Sequence, residues 1–211
     1  MSAKLHDVVI SGDAHVGEPD AMRAYMPKEF LADLPELKTG EEGNLAITVD
    51  GGELTRPPKR KPGPIDLMKE FRKDPSQGTN HDLRLEHMAL QGVDAAVLFP
   101  NIGLSVSMGN SSAAFNHAWA RAHNEFTWDT FSEHRHRLKP AAVIAIDDLD
   151  EMLVEAERCI KLGFCTLFLP ATVPWRPYRL PDYDSLWAMA EEAGIPINFH
   201  IFSGNLALRG D

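Results

Sequence analysis

Three times along this chain a helical stretch stops at a glycine and a short apolar run begins within a few residues: "GVDAAVLF" at Gly92, "GFCTLFL" at Gly163 and "GIPINFH" at Gly194. Glycine ends helices readily because it enters the left-handed backbone region without a Cβ clash. An apolar run that lacks polar alternation suits a strand covered on both faces. The repeated unit is therefore a βα rhythm. It predicts a parallel sheet with helices packed outside it. Five buried strands are expected, at residues 8–11, 95–99, 141–146, 165–169 and 195–201.

The intervening stretches have helical character. "SSAAFNHAWARAHNEFTWDTFSEH" starts on serines and places Phe115, Trp119, Ala122 and Phe126 at 3.6-type spacing. "DDLDEMLVEAERCIKLG" opens on aspartates, and "PDYDSLWAMAEEAG" repeats the pattern. Residues 35–80 break the rhythm. "LAITVDGGELT" reads as a hairpin around Asp50-Gly51-Gly52, and the Pro-, Gly- and Lys/Arg-rich segment after it reads as loop. The expectation is an excursion after the first strand that shapes a mouth or lid, with an insertion of no role as the alternative.

Composition narrows the function classes. The 31 Asp and Glu outweigh 21 Lys and Arg, for a net charge of −10. No basic patch of the kind nucleic-acid binders carry stands out. The cluster Arg56-Pro-Pro-Lys-Arg-Lys61 reads as a solvated loop. Cys159 and Cys165 match no zinc or redox spacing and read as reduced thiols, which suits a cytoplasmic protein. Neither a signal-peptide pattern nor a membrane-length apolar run is present, so no membrane partner is expected.

Chemistry concentrates at two strand ends. The first strand runs into Asp13-Ala14-His15, and i, i+2 residues on an extended chain point to one side. His200 ends the fifth strand in "IPINFHIF". In a parallel barrel the C-terminal strand ends converge on the face that holds the active site. Carboxylate and imidazole together suit Zn²⁺ and are acceptable for Mn²⁺ or Fe²⁺. The bland alternatives are that Asp13 satisfies loop amides, that His15 is a surface histidine and that His200 is structural.

His81, His87, His117 and His123 fall on helices. His134 and His136 lie in "SEHRHRLKP"; their spacing can hold a metal, but they precede a strand, on the stability face. Trp119, Trp128 and Trp187 read as helix-to-sheet packing. Trp175 differs, because it sits after the fourth strand beside Arg176 and Arg179, where an arginine can grip a substrate carboxylate.

"SGDAHVGEPDAMRAYMP", "RLEHMALQGVDAAVLFPNIG", "IDDLDEMLVEAERCIKLGFCTLFLP" and "PDYDSLWAMAEEAGIPINFH" together resemble the amidohydrolase superfamily. The branch they resemble includes aminocarboxymuconate-semialdehyde decarboxylase and the aromatic-acid decarboxylases. The similarity follows segment order over the whole chain and is weakest over residues 35–80. It implies a (β/α)8 TIM barrel with about five of eight βα units in residues 1–211, and one divalent metal in the mouth. Zinc is expected, with manganese as the alternative.

Asp13 and His15 match the acidic variant of the family's strand-one motif, and His200 matches its strand-five histidine, so these three carry over as ligands. Glu18-Pro19 resembles the turn after the motif. A complete member adds a strand-six histidine and a strand-eight aspartate. These acid–base groups are expected C-terminal to Asp211. The function expected is a metal-dependent hydrolase or decarboxylase of a small organic or aromatic carboxylic acid, with Trp175 and Arg176 touching substrate. A homo-oligomer, a dimer, is expected. The alternative is a non-catalytic truncated barrel that needs a C-terminal part or a partner chain.

Overall fold

A computed structural model describes residues 8–17, 20–34, 36–39, 45–49, 52–55, 78–101, 112–200 and 203. Its main sheet is parallel and follows chain order. β1 (Ile10–Val16) pairs with β5 (Ala95–Pro100), and β5 pairs with β6 (Leu138–Pro140). One residue later β7 (Ala142–Val143) pairs with β8 (Leu167–Pro170), which pairs with β9 (Ile197–His200). Between the strands lie α1 (His81–Gln91), α2 (Ala113–Thr130), α3 (Leu149–Leu162) and α4 (Asp184–Ala193).

The helix boundaries follow local chemistry. Asn80, Ser112 and Asp148 cap α1, α2 and α3 by accepting from first-turn amides, which would otherwise lack partners. Those amide bonds also hold the Asp148 carboxyl below its usual range. Gly92, Gly163 and Gly194 close α1, α3 and α4 with φ of 68°, 99° and 65°, as the repeated glycine stops predict.

The third strand is split. Residues 138–141 bond toward β5, with Ala141 N–H donating to the Leu98 carbonyl at 2.9 Å, whereas Ala142 donates to the Thr166 carbonyl just before β8 and Ile144 to the Phe168 carbonyl of β8. The switch would strand the Val143 backbone. Asn124 of α2 meets it: its amide donates to the Val143 carbonyl at 2.8 Å, and its Oδ1 accepts from the Val143 N–H at 2.8 Å. The same amide donates to Glu155 of α3, whose carboxylate accepts two bonds from Arg158. Burial pushes the Glu155 carboxyl up, but the bonds from Arg158 and Asn124 outweigh it and hold it below the usual range.

The core lies on both sides of the central strands. Phe99, Trp119, Phe126 and Phe168 pack with Met22 and Met26, which come from the segment after β1. Trp128 and Trp187 pack against a second cluster around Leu167, Leu169 and Tyr183, so these tryptophans are packing residues as expected.

Two expectations need correction. The first strand covers Ile10–Val16, so Asp13-Ala14-His15 lies within it rather than beyond it. The outer strands are also not covered on both faces. Among the described residues β1 bonds only to β5 and β9 only to β8, and Ile10 and Phe199 are 60% and 50% exposed.

Within 35–80, β3 (Leu45–Val49) and β4 (Gly52–Thr55) form the expected hairpin, with Val49 opposite Gly52. β2 (Glu36–Thr39) adds a third antiparallel strand that the pattern did not reveal. The loop after it, including 56–61, and Glu18-Pro19 lie outside the described residues.

Candidate metal centre

β1 reaches the site through an irregularity. Ser11 pairs with Ala96 and Ala14 with Leu98, so β1 fits one extra residue in around Asp13. Such a bulge re-aims side chains and often borders functional sites. Beyond it His15 pairs with Phe99, and His15 Nδ1 lies 2.8 Å from the Pro100 carbonyl. A carbonyl only accepts, so Nδ1–H is the donor. In the neutral ring Nε2 is then left with a lone pair.

His200 arrives from the far side of the sheet. Its register partner is Pro170 of β8, and its Nε2 lies 3.1 Å from Asp13 Oδ1. His15 Nε2 lies 3.3 Å from the same oxygen. One donor atom from each of the three residues falls within 4.8 Å of the others. Donors bound at 2.0–2.2 Å to a tetrahedral ion sit roughly 3.3 Å apart, so the set fits a divalent cation. Phe99 sits beside both imidazoles, with centroids 6.4 Å from His15 and 5.4 Å from His200. Asp13 is 70% exposed, which leaves one side of the set open to solvent.

Groups that the sequence did not flag hold the backbone behind two of these side chains. Arg84 of α1 donates to the His15 carbonyl at 2.6 Å and to the Gly78 carbonyl at 3.0 Å. Gly78 has φ 85°, and a Cβ there would collide with the Arg84 guanidinium. Ser203 donates to the His200 carbonyl and accepts from the Ala171 N–H at 2.9 Å, tying the end of β9 to the end of β8. No local motif marks either residue, since each acts on a backbone carbonyl brought near by the sheet register.

Trp175 and Arg176 stand apart from this set. Trp175 is 48% exposed. The Arg176 guanidinium lies 3.6 Å from Asp182 and donates to the Ile146 carbonyl at 3.4 Å, so it rests on the segment that follows β7. Tyr178 and Tyr183 hold the surrounding loop by donating to the Pro170 and Arg176 carbonyls. Among the remaining histidines, His123 is fully buried and stacked on Trp119 with centroids 5.2 Å apart; burial pushes its imidazole down to about 3.

The amidohydrolase family model matches residues 13–211. The chain belongs to the amidohydrolase family. No curated protein matches it in sequence. An amidohydrolase from Mycobacterium avium subsp. paratuberculosis K-10 is similar in fold, with a TM-score of 0.71 at 18% identity over 93% of this chain and 59% of that one. A 2,6-dihydroxybenzoate decarboxylase from Rhizobium gives 0.56 at 18% identity over 92% and 50%. A dihydroxybenzoic acid decarboxylase from Polaromonas sp. JS666, with bound manganese and 2-nitroresorcinol, gives 0.56 at 16% over 92% and 49%. The amidohydrolase chain thus spans between half and three-fifths of the length of these neighbours. The parallel strands among the described residues form part of a TIM-type barrel.

Proposed function

We propose that this chain carries the metal-binding part of a divalent-metal-dependent decarboxylase or hydrolase acting on a small aromatic or organic carboxylic acid. Asp13, His15 and His200 are its ligands. The observation that carries this reading is the convergence of one carboxylate oxygen and two imidazole nitrogens from opposite sides of the sheet. Family membership and solved neighbours that include aromatic-acid decarboxylases support it.

A bound ion at this place would polarise a substrate oxygen or lower the pKa of water. The protein's own part is to hold the ligands: Pro100 fixes the His15 tautomer, while Arg84 and Ser203 fix the backbone of His15 and His200. Trp175 and Arg176 form the rim that receives the substrate carboxylate, with Arg176 exchanging Asp182 for it. The 35–80 excursion contributes to the same mouth. Zinc is the ion the donor set favours, and the manganese-bound neighbour supports manganese as the alternative. The free thiols Cys159 and Cys165 support a cytoplasmic setting.

The test reads binding before turnover, because the chain spans only half to three-fifths of its neighbours' length. Chain loaded with Mn²⁺ or Zn²⁺ is titrated with 2,6-dihydroxybenzoate. Binding should require the ion, vanish in Asp13→Ala/His200→Ala, and weaken about tenfold in Arg176→Ala. Equal binding with and without the ion would sink the reading.

A second reading has its own observation. The exposed Ile10 and Phe199 on the outer strands favour a chain that becomes active only against another chain. Dilution followed by light scattering separates the two readings: this one expects ion-dependent binding of 2,6-dihydroxybenzoate to be lost as the assembly dissociates, whereas the first expects it to persist in a single copy.

A further inference from the structure

A second set of donors lies on different elements. His81 and Asp82 occupy the first turn of α1, and His134 lies in the short 3-10 turn Ser132–His134 that precedes β6. One ligand atom from each falls within 4.8 Å of the others. The His81 and His134 rings are 4.8 Å apart, and Asp82 Oδ1 lies 3.6 Å from His81 Nε2. The spacing in "SEHRHR" offers His134 with His136, whereas the fold brings His81 to His134 instead; the His136 ring is 6.3 Å from that of His134.

Both supports are fixed before any ion arrives. Asn80 caps α1 by accepting from the Leu83 amide at 3.1 Å, and Arg84 one turn on is anchored to the Gly78 and His15 carbonyls. On the other side Arg135 donates twice to the Trp128 carbonyl and lies 3.7 Å over the Trp128 ring. Arg137 donates to the Asp94 and Val93 carbonyls. The turn carrying His134 is thus pinned on both flanks. Little ordering cost remains for binding, which is what separates a built site from surface histidines that meet by chance.

We propose that His81, Asp82 and His134 form a second divalent-cation site, which binds a borderline ion such as Zn²⁺ and staples the start of α1 to the turn ahead of β6. Two imidazoles and one carboxylate are donors for Zn²⁺, Cu²⁺ or Ni²⁺ rather than for Mg²⁺ or Ca²⁺. The Asp82 carboxylate offsets the unfavourable helix-dipole field that a cation meets at a helix N-terminus. The partly exposed setting leaves room for water to complete the coordination. The ion closes a long loop of chain, so its role is structural.

The experiment titrates Zn²⁺ into the 211-residue chain against a chromophoric chelator, in an Asp13→Ala/His200→Ala background that removes the first proposed site. One equivalent is expected to remain, together with a zinc-dependent rise in Tm. Adding His81→Ala/His134→Ala removes both, while His87→Ala changes neither. Asp82→Asn, which keeps the side-chain shape, weakens zinc binding about tenfold. The proposal is overturned if the background chain takes up no zinc, if uptake survives loss of both histidines, or if it occurs only at millimolar zinc, as for an adventitious ion only. Because the first site is already absent, its failure leaves these outcomes unchanged.

Discussion

β8 and β1 are both short strands with parallel neighbours, yet their surroundings are opposite. Leu167, Phe168 and Leu169 of β8 are fully buried and bonded to a strand on either side. β1 has one bonded neighbour among the described residues, and Val8 at its approach is 70% exposed. The proposed ligands belong to the poorly covered pair of strands: Asp13 and His15 to β1, and His200 to β9. The buried interior and the proposed ligands are thus divided between the middle and the outer strands among the described residues.

The division is broken most severely from the centre. Asn124→Ala leaves the buried Val143 N–H and C=O and one Glu155 bond unmet. At about 1–3 kcal/mol for each unsatisfied group, a loss of about 3–5 kcal/mol is expected in urea unfolding. A loss under about 1 kcal/mol would show that the strand switch does not depend on this clasp.

The pH dependence also comes from the interior. His123 is held neutral down to about 3, whereas an unfolded histidine protonates near 6.5. Below 6.5 the unfolded chain binds a proton that the native state refuses, so stability falls with pH over the window from 6.5 to 3. About 3 kcal/mol should be lost from this group between pH 7 and pH 4. His123→Phe should flatten that limb; an unchanged limb in the variant assigns the loss to other groups. Glu155 adds a loss at lower pH, as its carboxyl is protonated and the bonds from Arg158 and Asn124 weaken.

How much of this division the sequence carries depends on range. The glycine stops at Gly92, Gly163 and Gly194 are local signals, and so are the Ser112 and Asp148 caps; all are legible. Asp13, His15 and His200 are legible as strand-end residues, but their approach to 3.1–3.3 Å depends on the sheet's curvature. An apolar run announces a strand and not its number of neighbours, so the runs alone do not distinguish β1 and β9 from β8. The bulge at Asp13, the Asn124 clasp and the Arg84 and Ser203 anchors all arise from register between distant segments, and no spacing rule encodes them.

Smaller effects sharpen the contrast at the margin. Arg84→Met releases the His15 carbonyl without touching a donor atom, so metal affinity at the first site should fall about 10- to 100-fold while the fold persists. Isothermal titration reads this, and an unchanged affinity would leave Arg84 a purely structural residue. Ile10→Thr, at an exposed position of β1, should change unfolding free energy by no more than about 0.5 kcal/mol. The same kind of change at Leu167 should cost several times as much.

The central claim is that two strands at opposite margins of the sheet share one ion. X-ray absorption at the zinc edge tests it most directly, on chain carrying His81→Ala/His134→Ala so that only the first site is read. The account predicts two imidazoles and oxygen donors around the ion, with one imidazole lost in His200→Ala and one in His15→Ala. A single imidazole in the parent chain, or a spectrum that His200→Ala leaves unchanged, would contradict it.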